Sequence, residues 1–78
     1  MISYTKLLED MTRAIVEHPD DVKVSQDGDG EDITLTLNVA EDDMGMVIGK
    51  HGNIAKAIRT VVKAAGKLDD KKISVEIR

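Results

Sequence analysis

There is no cysteine in this sequence, no tryptophan and no phenylalanine, and proline occurs once. Without cysteine there is neither a disulfide framework nor a thiolate metal site, which excludes a stapled secreted scaffold and a zinc finger. No uninterrupted apolar stretch exceeds three residues, as at Met46-Val47-Ile48, against the roughly 20 needed to span a bilayer. The first ten residues put no basic flank ahead of an apolar run, so they do not read as a signal peptide. The expectation is a cytoplasmic protein with no membrane association. Its 78 residues suit one small domain, since domains run roughly 50–250 residues. The whole aromatic complement is Tyr4, which falls on a helix face expected to lie far from the basic part of the chain. Modules that read RNA by stacking bases on several aromatic rings are therefore excluded.

The charge is present but unevenly placed. The formal net charge of −4 argues at first against a phosphate-rich partner. Residues 1–43, however, hold three basic and twelve acidic side chains, a net −9. Residues 44–78 hold eight basic and three acidic ones, a net +5. Such polarisation suits a nucleic-acid or acidic partner, and it also suits two plainly solvated faces.

Periodicity supplies the elements. Residues 4–18 carry Tyr4, Leu7, Leu8, Met11 and Ile15, with Ala14 at the edge, in the spacing of a one-faced helix. Pro19 is expected to close it, because proline drives the residue before it out of the helical region. Val22 and Val24 alternate with Lys23 and Ser25 as a short strand, and Asp27-Gly28-Asp29-Gly30 makes the turn. Ile33, Leu35, Leu37 and Val39 alternate with polar residues in the clearest strand of the chain. Asp42 or Asp43 is placed to cap a short helix over 44–48, ended by Gly49. A second amphipathic helix is expected over 53–65. Its apolar face is Ile54, Ile58, Val61, Val62 and Ala65, with Gly66 as the stop and Lys56, Arg59, Lys63 and Lys67 on the other side. Ile73, Val75 and Ile77 alternate to make the last strand. The order α-β-β-α-α-β gives an α+β fold, a three-stranded mixed sheet with its helices packed on one face. The last strand is expected parallel to the 33–39 strand, through a right-handed crossover.

Between the two later helices lies Gly49-Lys50-His51-Gly52. With six glycines in the chain, such a pair carries little weight alone. Two glycines suit a plain helix–helix turn, and they equally let a phosphodiester backbone come close. The start of the next helix favours an anion, and Lys50 adds a positive charge there. Other motifs fail on residues. The run from Gly45 to His51 has too few residues between its glycines for a phosphate-binding P-loop, and no Ser or Thr after Lys50. A calcium loop counted from Asp27 would need glycine where Asp32 stands. The two histidines, His18 and His51, and the three serines do not form a recognisable nucleophile-and-base pattern, so neither catalysis nor a metal or cofactor is expected.

The run Val47-Ile48-Gly49-Lys50-His51-Gly52-Asn53-Ile54-Ala55-Lys56-Ala57-Ile58 resembles the V-I-G-x-x-G-x-x-I-x-x-I signature of KH domains. The element order resembles the type II, prokaryotic arrangement, and nearly the whole chain resembles the KhpA family of small bacterial single-KH RNA-binding proteins. Ala55 departs from the pattern, standing where many KH domains carry a bulky aliphatic, with Ile54 one place earlier. The resemblance implies one type II KH domain over 1–78, its core with the glycine loop over about 32–78. It implies that Gly49, Lys50, His51, Gly52 and Asn53 hold about four unpaired nucleotides. Lys56 and Arg59 would then meet flanking phosphates, and Ile48, Ile54 and Ile58 would line an aliphatic groove. It further implies an RNA chaperone or post-transcriptional regulator, with single-stranded RNA and a KhpB/Jag-type KH protein as partners and a homodimer as another assembly. The same resemblance connects the chain to cell elongation and peptidoglycan homeostasis. The competing expectation is an interaction subunit that docks protein through helix 53–65, with RNA binding secondary.

Overall fold

The computed structural model describes residues 3–78; the first two positions of the expected domain, and of the stretch read for a signal peptide, lie outside them. The chain runs α1 (Tyr4–Arg13), β1 (Lys23–Asp27), β2 (Asp32–Asn38), α2 (Met44–Ile48), α3 (Asn53–Leu68) and β3 (Lys72–Ile77). Short 3-10 turns lie at Pro19–Asp21, Glu41–Asp43 and Lys50–Gly52. The sheet order is β1-β2-β3, with β1 antiparallel to β2 and β3 parallel to it. This is the α+β, type II KH-like arrangement expected from the sequence.

Alternation along β2 decides where the core sits. Ile33, Leu35 and Leu37 are buried while the residues between them are not, because successive strand side chains point to opposite faces. Parallel pairing sets Ile33 beside Ile73 and Leu35 beside Val75, so the apolar row continues across the sheet. Leu8 from α1, Val47 from α2 and Val62 from α3 pack onto it with no exposed surface.

Several boundaries and faces differ from the periodicity. The first helix stops at Arg13 rather than at Pro19. Long-range polar contacts draw the chain away earlier. Arg13 donates to the carbonyls of Pro19 and Val22, and the buried Asp43 carboxylate accepts from the amides of Glu17 and His18 at 3.0 and 2.9 Å. Asp43 therefore occupies the cap position of α2 without capping it; its carboxylate ties down the α1–β1 connection instead. Pro19 starts a 3-10 turn, where its fixed φ is an advantage. In α3 the buried residues are Ala55, Ile58, Val62, Ala65 and Gly66. Val61 is 47% exposed and Ile54 half-buried, so the inward face is turned away from the expected one.

Gly66 does not stop α3. It lies inside the helix against β3, where an added Cβ would come within 2.7 Å of Ile73 Cδ1 and 2.9 Å of the Lys71 carbonyl oxygen. Its missing side chain lets the helix approach the sheet. The helix ends at Leu68, and Asp70, with a φ of 57°, makes the left-handed reversal just beyond it. The Lys71 amide donates back to Gly66 O at 2.8 Å and the Asp70 amide to Lys67 O at 3.1 Å, the two bonds of a Schellman cap.

The same end of α3 meets Tyr4, contrary to the expected separation. The Tyr4 hydroxyl donates to an Asp69 carboxylate oxygen. That hydrogen bond, with burial and the carboxylate's negative charge behind it, pushes the phenol up to about 12. An unfolded tyrosine titrates near pH 10. A folded value raised in this way stabilises the fold fully below about pH 10, and the gain is lost as pH rises toward about 12. Since Tyr4 is the only aromatic residue, its ultraviolet titration should show a midpoint near 12 in the native protein. In denaturant the midpoint should return to about 10. Tyr4→Phe should flatten the alkaline fall in stability over that window, and an unchanged pH profile in the variant would exclude the contact.

Candidate nucleic-acid interface

Three consecutive backbone features build the α2–α3 junction. Gly49 ends α2 at φ 74°, ψ 178°, His51 sits in the left-handed region at φ 57°, and Gly52 at φ 74°, ψ 13°. Glycine takes such angles without steric cost, and histidine is among the residues that tolerate them best. The Gly52 amide donates to Gly49 O at 3.2 Å, and the Asn53 amide to Lys50 O. Those two amides are thus satisfied within the loop, and attraction for an anion rests on the helix dipole, the amides further into α3 and the loop cations.

The two glycines do different jobs. A Cβ on Gly49 would lie 2.6 Å from Ile54 Cγ1, so Ile54 packs directly on that glycine. A Cβ on Gly52 would meet nothing within 4 Å. Gly49 is needed by the protein's own packing, whereas Gly52 faces open space into which another molecule's backbone can come. Lys50 and His51, both exposed, lie between them.

The other expected site residues divide into two groups. Asn53 begins α3 and Lys56 projects into solvent one turn later. Arg59 is half-buried, and its Nε donates to Val75 O on β3 at 3.2 Å, which fixes the guanidinium beside the strand. The three residues expected in the aliphatic wall do not all line one cavity. Ile54 and Ile58 line a cavity of about 320 Å³ with Met11, Ile15, Asn53, Ala57 and Val61, between α1 and α3. Ile48 is 41% exposed at the end of α2 and does not line it. Met11 and Ile15 were legible as helix-face residues, but their place opposite α3 follows from tertiary packing. Among the described residues one set of three metal-capable side chains comes together, Glu17, His18 and Asp43. Both Asp43 oxygens already accept backbone amides, so the cluster reads as a loop anchor.

A three-stranded sheet with β1 antiparallel and β3 parallel to a central strand, and a G-x-x-G turn joining two helices over it, defines a type II KH domain. The chain belongs to the KhpA/KhpB KH-domain family, whose pattern it matches over residues 5–77. It is 51% identical over 72 residues to the RNA-binding protein KhpA of Clostridium acetobutylicum, covering 92% of this chain and 96% of that one. It is 45% identical over 71 residues to the RNA-binding protein KhpA of Bacillus subtilis, covering 91% and 88%. Among solved structures it resembles a point variant of Aquifex aeolicus Era bound to GDP and aluminium fluoride, with a TM-score of 0.68 at 16% identity. It resembles equally Era in complex with MgGDPNP and nucleotides 1506–1542 of 16S ribosomal RNA, with a TM-score of 0.67 at 17% identity. The chain is covered to 95% in both matches but spans only 29% and 28% of those Era chains, and the likeness is one of fold.

The asymmetry between the glycines is testable. Gly52→Ala should cost only the left-handed strain, roughly 1–2 kcal/mol. Gly49→Ala should cost more, because φ 74°, ψ 178° is a conformation essentially confined to glycine and the displaced Ile54 adds an overpacking penalty of about 1–3 kcal/mol. Urea denaturation of the two variants measures the difference, and equal losses would remove the assigned role of Ile54.

Proposed function

We propose that the chain binds single-stranded RNA, holding the sugar–phosphate backbone at loop 49–52. The observation that carries this is Gly52, left-handed and open on its Cβ side, with the exposed Lys50 and His51 beside it at the start of α3. In this reading Gly49, Lys50, His51, Gly52 and Asn53 receive about four unpaired nucleotides. Lys56 and Arg59 meet flanking phosphates, while Ile48, Ile54 and Ile58 supply the aliphatic wall. The names of the relatives, RNA-binding protein KhpA, support it, as does the ribosomal RNA held by one of the Era structures. The chain then acts as one KH domain, a binding module and not a catalyst, in the cytoplasm. Family membership supports a role as RNA chaperone or post-transcriptional regulator beside a KhpB/Jag-type partner, in cell elongation and peptidoglycan homeostasis.

Contact with about three to five phosphates gives a log K against log salt slope near −2 to −3.5 for a single strand. The double variant Lys50→Asp, His51→Asp should abolish binding with circular dichroism and melting nearly unchanged. Aspartate tolerates the left-handed backbone of position 51, so the fold is preserved. Undiminished RNA affinity in that variant would sink the proposal.

The apolar cavity between α1 and α3 supports a second reading, an interaction subunit. Ile15 and Val61 are 37% and 47% exposed there, and a small core gains from a partner. Val61→Lys leaves the buried core untouched and should make an associating chain monomeric in sedimentation. A dimer that persists in the variant would exclude this face.

A further inference from the structure

The basic residues of the chain do not end with those beside the glycine loop. At the opposite end of α3, Lys63, Lys67, Lys71 and Lys72 surround a concavity of about 310 Å³, floored by Ile73 and Ser74. The fold assembles it from two elements: Lys63 and Lys67 come from α3, and the Schellman reversal at Asp70 brings in Lys71 and Lys72 at the start of β3. Lys71 is fixed in place, its Nζ donating to Gly30 O at 2.9 Å and Asp29 O at 3.3 Å. Lys63, Lys67 and Lys72 are exposed and make no ion pair or side-chain hydrogen bond among the described residues. Clustered like charges that form no ion pair repel one another, a cost that a bound polyanion lowers.

Position distinguishes this patch from a solvated face. Lys56, Lys63 and Lys67 recur at helical spacing along α3 from the glycine loop, and Arg59 lies between them against β3. From Lys56 to Lys67 the helix rises about 16 Å, so the row leads from the loop into the concavity. On the far side stands an acidic rim. The neighbouring hollow sets Glu31, Asp32 and Asp70 against Lys67, Lys71 and Lys72. A polyanion following α3 meets cations up to the β3 start and carboxylates beyond it, which gives the row an end.

We infer that Lys63, Lys67 and Lys72 form a second phosphate-binding patch, one that takes the backbone of nucleotides beyond those held at loop 49–52. This rests on the RNA-binding reading above, and its test separates the two. The triple variant Lys63→Gln, Lys67→Gln, Lys72→Gln is compared with wild type by fluorescence anisotropy. The probes are a single-stranded RNA of about four nucleotides, the run a KH loop clamps, and one about three times as long. The expected result is unchanged affinity for the short RNA and a loss of about tenfold or more for the long one. The salt slope for the long RNA should flatten by about 2, from roughly 0.7 per lost contact. Long-RNA affinity and slope equal to wild type would overturn the second patch while leaving the loop reading intact. An equal loss on both RNAs would also overturn it, by making these lysines part of the loop site. Failure of the wild type to bind either RNA would remove both readings. Circular dichroism of the variant, whose three replaced side chains are solvent-exposed, should match wild type.

Discussion

The seating of α3 on β3 is the constraint from which the rest of the molecule follows. It depends on Gly66, where a single methyl group would strike Ile73 and the Lys71 carbonyl. Close approach there keeps Val62, Ala65, Ile73 and Val75 together in one buried cluster. It also fixes both ends of the helix. The N-terminal end presents the glycine loop, and the C-terminal end turns straight into β3 through the Schellman cap. Arg59, reaching Val75 O from the middle of the helix, is a polar tie along the same contact.

A core without phenylalanine or tryptophan is short of large buried surfaces, since aromatic side chains bury some 150–250 Å² each. Polar anchors of long sequence reach supplement it. Asp43 holds the α1–β1 connection, Tyr4 joins α1 to Asp69, and Lys71 holds the β1–β2 turn. The buried Thr12 donates its hydroxyl to Leu8 O at 2.7 Å, so it has a partner, as the buried Asp43 has. Each of these ties joins segments far apart in the chain or satisfies a buried group, which is where a hydrogen bond matters most.

The strands, the short α2 and the glycine turn could be read from residue order because their causes are local. Strict alternation at Ile33, Leu35 and Leu37 marks a half-buried strand wherever it occurs. Gly49 and Gly52 both take positive φ angles, the freedom that makes glycine suit such a turn. Gly66 was misread because a missing side chain has two uses, ending a helix or letting it come close to a neighbour, and sequence does not separate them. The early end of α1 was hidden for another reason: Asp43, which captures the Glu17 and His18 amides, is more than twenty residues away. Rotation of the buried face toward Ala55 likewise reflects how α3 rests against the sheet. Of the candidate site residues, the loop members are neighbours in sequence and were legible as a unit. The partners of Arg59 and the cavity walls opposite Ile54 depend on packing.

Ile54 belongs to two surfaces at once. Its side chain covers Gly49 on one side and walls the cavity facing Met11 and Ile15 on the other. A rotamer change at this position reshapes the loop support and the cavity together, so the two are not independent variables. In mechanical terms the side chain is a shared bearing. The accuracy with which loop 49–52 is held is set partly by how well α1 backs α3.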